Sequence, residues 1–222
     1  MWELCVITDR KVSGGLSHRE MAERALQGGA SIIQLRDKEA SPRALLPEAF
    51  ALAQLCRQYG ATFIVNDRLD LALASGADGV HLGQDDLPAQ AARRLLQGKL
   101  LGVSTHSVEQ AVQAEEDGAD YIGVGPIFPT ATKETGYRPL GLEGLRKIRE
   151  AVKIPVLAIG GIDFENAPLV IQAGADGVAV ISAVVGAHDI TQAAHRLWGI
   201  VRSAKERCSM VDGGCWKRWD SP

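Results

Sequence analysis

Gly76-Ala77-Asp78-Gly79-Val80-His81-Leu82-Gly83-Gln84-Asp85-Asp86 is the stretch that decides the reading of this chain. A glycine suited to closing a helix is followed at once by a short apolar run, and the run stops in charge. The same opening phrase recurs at Gly118-Ala119-Asp120 and Gly174-Ala175-Asp176, with Gly29-Ala30-Ser31 as a weaker fourth copy. Each copy follows a helix-like segment and precedes a strand-like one. The four copies therefore mark every second strand of a longer alternation.

Working outward, strands are predicted near 4–8, 31–35, 62–66, 79–83, 100–104, 121–125, 155–159 and 177–181. Between them lie segments with helical spacing, such as Leu45, Ala49, Leu52 and Leu55, or Leu142, Leu145, Ile148 and Val152. The strands are short, rich in Val and Ile, and apolar on both faces, as parallel strands covered by helices are. Eight strand–helix units in about 200 residues predict a compact α/β fold, a (βα)8 TIM barrel. A doubly wound open sheet would have fewer strands and usually a Gly-x-Gly-x-x-Gly turn after the first, which is absent. The expected organisation is one barrel domain over 1–205 and a short C-terminal tail over 206–222, flexible or loosely docked. The tail carries Cys208 and Cys215, but no histidine or third cysteine lies near enough in sequence to suggest a metal site.

Composition narrows the function classes. The chain of 222 residues has a net charge of −3, so no global field points to nucleic acid or a membrane surface. No apolar segment is long enough to span a bilayer, and the N-terminus shows no signal-peptide pattern. The four cysteines show neither zinc-like nor thioredoxin-like spacing, which suits a reducing cytoplasm.

The polar groups at the strand ends point to an enzyme. In a (βα)8 barrel those ends converge on one site. They supply Asp9, Arg36, Lys38, Asn66, Asp67, Asp85, Asp86, Ser104, Thr105, Thr130, Thr132, Lys133, Gly160, Gly161, Ile181 and Ser182. Asp67 and Asp86 follow neighbouring strands, and two carboxylates without Cys or His partners suit a hard cation such as Mg2+. Either alone would read as a helix cap; the pair beside Asn66 favours metal. Arg36, Lys38 and Lys133, with nearby hydroxyls, suit a pyrophosphate. The paired glycines Gly160-Gly161 and the hydroxyl of Ser182 suit a monophosphate at the last two strands, although glycines there also serve tight turns. His81 reads as a packed or hydrogen-bonded barrel residue, and His106 as a local cap with acid–base chemistry open to it.

These motifs together closely resemble the thiamine phosphate synthase family, which includes the related thiazole tautomerases. The stretches that carry the resemblance are Cys5-Val6-Ile7-Thr8-Asp9, Ile33-Gln34-Leu35-Arg36-Asp37-Lys38, Phe63-Ile64-Val65-Asn66-Asp67-Arg68 and Gly79 to Pro88. They continue with Gly102-Val103-Ser104-Thr105-His106, Gly123 to Lys133, Ile159-Gly160-Gly161-Ile162 and Gly174 to Ser182. The resemblance implies joining of a hydroxymethylpyrimidine diphosphate to a thiazole phosphate, releasing pyrophosphate and thiamine phosphate. It implies Mg2+ on Asp67 and Asp86, and a diphosphate grip by Arg36, Lys38, Asn66, Ser104 and Lys133. Thr130, Thr132, Gly161, Ile181 and Ser182 would hold the thiazole phosphate, and Gln34 would lie by the pyrimidine. Arg36, Lys38, Ser104 and Lys133 are the expected catalytic residues, acting by stabilising departing pyrophosphate while the thiazole nitrogen attacks a pyrimidine methylene cation.

Three rival readings use the same rim. A thiazole tautomerase would rely on His106 and have little use for paired aspartates. A sugar-phosphate aldolase would need a lysine with lowered pKa. A silent thiazole phosphate-binding regulator would not need the full set of cations. The expected partners are small molecules, with homo-oligomer formation left open.

Overall fold

The computed structural model describes residues 2–130, 132 and 136–211. Eight strands alternate with helices in the order β1 (Leu4–Thr8), α1 (His18–Gln27), β2 (Ile32–Leu35), α2 (Pro42–Tyr59), β3 (Thr62–Asn66), α3 (Leu69–Ser75), β4 (Gly79–Leu82) and α4 (Ala89–Leu95). The second half runs β5 (Leu100–Thr105), α5 (Val108–Glu116), β6 (Tyr121–Val124), α6 (Gly141–Ala151), β7 (Val156–Ile159), α7 (Ala167–Gln172), β8 (Gly177–Val180), α8 (Ser182–Val185) and α9 (Ile190–Val211). All neighbours pair in parallel, and β8 pairs with β1 through Leu4 and Val178, closing the barrel. The open-sheet alternative is thereby excluded.

The strand predictions hold to within a residue at each end. The expected boundary at 205 falls inside α9, which continues to Val211. Residues 212–222, with Cys215, lie outside the described residues. Among the described residues no helix is long and apolar enough to cross a membrane.

The repeat has a physical purpose at the foot of the barrel. Its glycines, at 29, 76, 118 and 174, all have positive φ, between 70° and 110°, and turn the chain from helix to strand. The aspartate then reaches across to the preceding strand. Asp78 accepts the Phe63 N–H at 2.8 Å, Asp120 that of Leu101 at 2.7 Å, and Asp176 that of Val156 at 2.8 Å. In the weaker copy the Ser31 hydroxyl takes the Leu4 N–H at 3.2 Å. Each even strand therefore secures the first turns of its odd neighbour, where a backbone N–H would otherwise be orphaned.

Two of these carboxylates carry a further layer. Arg93 of α4 lies 2.7 Å from Asp120 and also donates to the Leu96 and Lys99 carbonyls. Arg149 of α6 lies 3.0 Å from Asp176 and donates to the Val152 and Ile154 carbonyls. The guanidinium thus closes a helix C-terminus and the next strand start in one contact.

Inside the barrel and under the helices lies one continuous apolar core, whose largest fully buried side chains include Tyr121 and Phe63. With the foot tied down and the core filled, the charged strand ends are left together at the opposite rim.

Candidate active site

The β2–α2 loop carries four consecutive charged residues, each tied to a polar or charged side chain from outside the loop. Arg36 meets Asp9 at 2.7 Å, Asp37 meets His18 at 3.2 Å, Lys38 meets Asp67 at 2.7 Å, and Glu39 pairs with Lys11. Asp9 is itself oriented, because its other oxygen accepts the backbone N–H groups of Lys11 and Val12. Arg36 is largely buried, and its Nε is a buried donor with no partner among the described residues. A guanidinium held by one carboxylate and left with a buried N–H unsatisfied is a site prepared for an anion. It borders a cleft of about 740 Å³ whose walls include Asp9, Arg36, Lys38 and Thr132.

Asp67 is tied to Lys38, which lines this cleft, and Asp86 lies against Asp67. Asp67 follows β3 with φ of 62°, and among the described residues no other non-glycine has positive φ. Such a backbone is strained for an L residue, and here it places a carboxylate at the rim. Asp86 accepts the Gly83 N–H at 2.6 Å. Burial, together with the adjacent Asp67 carboxylate, pushes the Asp86 pKa above its ordinary value against the opposing pull of Gly83 and Lys38. Two acidic groups close enough to disturb each other want a cation, and the Lys38 ammonium supplies one to Asp67. Among the described residues no three His, Cys, Asp or Glu side chains gather as a metal cluster. Two hard carboxylates of this kind would suit a cation that completes its coordination with water and phosphate oxygens.

Below the rim a small cavity of about 40 Å³ opens into the barrel, lined in part by Gln34, Arg36, Asn66, His81, Ser104 and Tyr121. Tyr121 is fully buried, and burial raises its pKa well above the usual phenol value, so the hydroxyl stays protonated. It lies 3.1 Å from His81 Nδ1, while His81 Nε2 lies 2.9 Å from the Ser104 hydroxyl. The His81 imidazole thus bridges the Tyr121 and Ser104 hydroxyls, with donor and acceptor roles set by its tautomer. The partner of Ser104 is therefore His81, from the neighbouring strand. Room for these rings comes from Gly102, where a Cβ would lie 2.2 Å from Tyr121 Cζ. That glycine, between two apolar residues of a strand, was the one sequence sign that a large polar group sits opposite.

The last sub-site lies at β6, β7 and β8. Ser104, His106, Thr130, Thr132, Gly160, Gly161, Ile181 and Ser182 line a cavity of about 80 Å³. Thr132 donates to the Ser182 hydroxyl at 3.2 Å, and the Thr132 N–H reaches Thr130 Oγ1 at 3.3 Å. Gly161 has φ of 64°, and a Cβ there would fall 2.6 Å from the Pro129 carbonyl, so the turn requires glycine. His106 is held from two sides: its Nδ1 meets the Gly125 carbonyl, and its ring stacks on Tyr137 at 3.7 Å. Lys133 lies outside the described residues. Asp9, Gln34, Arg36, Lys38, Asn66, Ser104, Thr130, Thr132, Gly160, Gly161, Ile181 and Ser182 line these cavities, whereas Asp85 and Thr105 line none of them. His81 is a hydrogen-bonded barrel residue, as its place in the strand suggested, and His18, Asp37 and Tyr121 are partners that sequence spacing did not reveal.

The model of the thiamine monophosphate synthase family matches residues 4–184, which is most of the barrel. The chain belongs to this family. A thiamine-phosphate synthase from Chloroflexus aurantiacus is 54% identical over 206 residues, covering 93% of this chain and 95% of the relative. One from Moorella thermoacetica is 56% identical over 205 residues, covering 92% and 98%. Among solved structures, thiamine phosphate pyrophosphorylase from Pyrococcus furiosus superposes with a TM-score of 0.85 at 48% identity, covering 91% of this chain and 96% of that one. The thiamine monophosphate synthase assignment thus spans the rim and the barrel alike.

Proposed function

We propose that this protein condenses a hydroxymethylpyrimidine diphosphate with a thiazole phosphate, giving thiamine phosphate and pyrophosphate. The observation that carries the reading is a cationic, carboxylate-bearing cleft beside a separate glycine- and hydroxyl-lined pocket on one barrel rim. Arg36 and Lys38 would grip the diphosphate, with Lys133 as a third cation from the β6–α6 loop. Asn66 and Ser104 border the cavity beneath them, and Gln34, which lines the same cavity, would lie by the pyrimidine. Thr130, Thr132, Gly161, Ile181 and Ser182 would hold the monophosphate of the second substrate.

Asp67 and Asp86 would hold Mg2+. When bound, Mg2+ supplies charge neutralisation on a diphosphate leaving group. The protein's own part is to fix cations around that group before reaction. Arg36 is already aligned by Asp9, so little reorganisation is left for the moment the C–O bond to diphosphate weakens. Ser104, oriented through His81 and Tyr121, offers its hydrogen to a phosphate oxygen as negative charge accumulates there.

The rivals fit these residues less well. An aldolase lysine must be a neutral amine, whereas the Lys38 ammonium is ion-paired with Asp67. A tautomerase has no use for the paired carboxylates. The protein is proposed to work in the cytoplasm, where the free thiols of Cys5, Cys56 and Cys208 persist.

The direct test supplies purified protein with both substrates, in Mg2+ or in EDTA, and follows thiamine phosphate by fluorescence after oxidation. Product that requires the divalent ion is the expected result. Folded protein that makes none in Mg2+ would overturn the reading.

A further inference from the structure

His18 lies outside both sub-sites, yet it is built in with unusual thoroughness. It opens α1 immediately after the Ser17 cap, whose hydroxyl and Glu20 form a reciprocal capping box. Its side chain is fully buried. Both ring nitrogens are engaged: Nδ1 lies 2.8 Å from the Thr8 hydroxyl at the end of β1, and Nε2 lies 3.2 Å from Asp37 Oδ2. An ionised carboxylate only accepts, so Nε2 carries a hydrogen and donates it to Asp37.

Asp37 is held just as fully. Its other oxygen accepts the N–H groups of Glu39 and Ala40, each at 2.9 Å. Burial works to raise its pKa, but those two N–H groups and His18 outweigh burial and hold it below the ordinary value. On the other side of the ring, the Thr8 hydroxyl reaches the Gln34 carbonyl at 3.3 Å, and the Arg36 N–H approaches the same hydroxyl at 3.5 Å. One imidazole therefore braces the backbone on both sides of Arg36-Asp37-Lys38. An apolar side chain would fill this space without the cost of burying a polar ring, so packing alone does not account for histidine here.

We propose that His18 is a positioning residue for the diphosphate grip. From beneath the β2–α2 loop it fixes Asp37, and Asp37 sets where its neighbours Arg36 and Lys38 present their charges. The proposal rests on the reading of Arg36 and Lys38 as diphosphate ligands. His18 touches no substrate; it acts through the loop. Because two cations must meet one anion at the right separation, a small displacement of the loop weakens both contacts together.

The test is calorimetric titration of inorganic pyrophosphate, with Mg2+, into the wild type, His18→Asn, Asp37→Asn, the double variant and Arg36→Ala. KM for each substrate and the melting temperature are measured on the same preparations. His18→Asn is expected to weaken pyrophosphate binding and raise KM for the pyrimidine diphosphate about tenfold, while KM for the thiazole phosphate moves less than about twofold. The double variant should match the single ones, because both act through one contact. Ser31→Ala, at the foot of the barrel, should lower the melting temperature without splitting the two KM values.

Unchanged pyrophosphate binding in His18→Asn, or KM values for both substrates that move together with stability, would overturn the proposal. If Arg36→Ala weakens pyrophosphate binding and His18→Asn does not, the positioning role alone fails. If Arg36→Ala also leaves binding intact, the diphosphate reading itself fails. Should His18→Asn not fold, Thr8→Val removes the other arm of the same brace and is expected to give the same split; equal KM values there would count against the proposal equally.

Discussion

Asp86 combines two roles that oppose each other. Its carboxyl is partly buried and faces Asp67, which raises its pKa, so the fold holds this proton to higher pH than the unfolded chain does. Stability therefore falls as pH rises through that window, and the deficit persists above it. We expect metal-free Asp86→Asn to melt at a higher temperature than wild type at neutral pH, with the gap closing below the ordinary carboxylate pKa. The same variant should lose turnover on the order of 10²-fold if one preorganised contact has its typical worth. A lower melting temperature, or near wild-type turnover in saturating Mg2+, would contradict the assignment. The thiols give a second check at this scale. Burial pushes the pKa of Cys5 and of Cys56 up to about 12, whereas Cys208 is partly exposed on α9. A thiol reagent on native protein should modify Cys208 well before Cys5 or Cys56, as mass spectrometry of labelled peptides would report. Early loss of Cys5 would mean that the barrel opens far more readily than its packing implies. The rim carboxylates and cations were legible because each ends an apolar run. His18 and Tyr121 were not, because their partners lie on other elements and no local period joins them.

At the scale of elements, the Gly-Ala-Asp repeat was visible in the sequence, but only half of its meaning was. Its glycines could be read as helix closures from local chemistry alone. Its aspartates take a strand N–H from the neighbouring β-strand, and no local pattern encodes such a long-range bond. The weaker copy carries serine because a hydroxyl can take the same N–H. Replacing Asp120 by Ala leaves the Leu101 N–H and the Arg93 guanidinium without their shared partner. This should cost on the order of 1–3 kcal/mol of unfolding free energy, read from urea denaturation. The rate per folded molecule should stay near that of wild type, since the loss lies at the foot and the chemistry at the rim. A large fall in kcat with unchanged stability would show that foot and rim are coupled. The end of α9 was misjudged for a related reason. Residues 206–211 lack a clear apolar period, and the helix continues there from its packed N-terminal turns.

For the whole molecule, the division of labour follows from parallel closure. Every strand points the same way, so the repeat's carboxylates collect at one end and the charged β–α loops at the other. Barrel closure could be read in outline from eight short apolar runs. The layout of the rim could not, because it depends on which loops lean together: β2–α2 toward β3 on one side, and the Thr132 segment toward Ser182 on the other. The central claim is that these two sides take different substrates. Steady-state KM for both substrates in Arg36→Ala and Gly161→Ala tests it most directly. Arg36→Ala should raise KM for the pyrimidine diphosphate alone, and Gly161→Ala, whose new Cβ would crowd the Pro129 carbonyl, should raise KM for the thiazole phosphate alone. If each variant raised both values equally, or the two effects were exchanged, the two-sided site would be wrong.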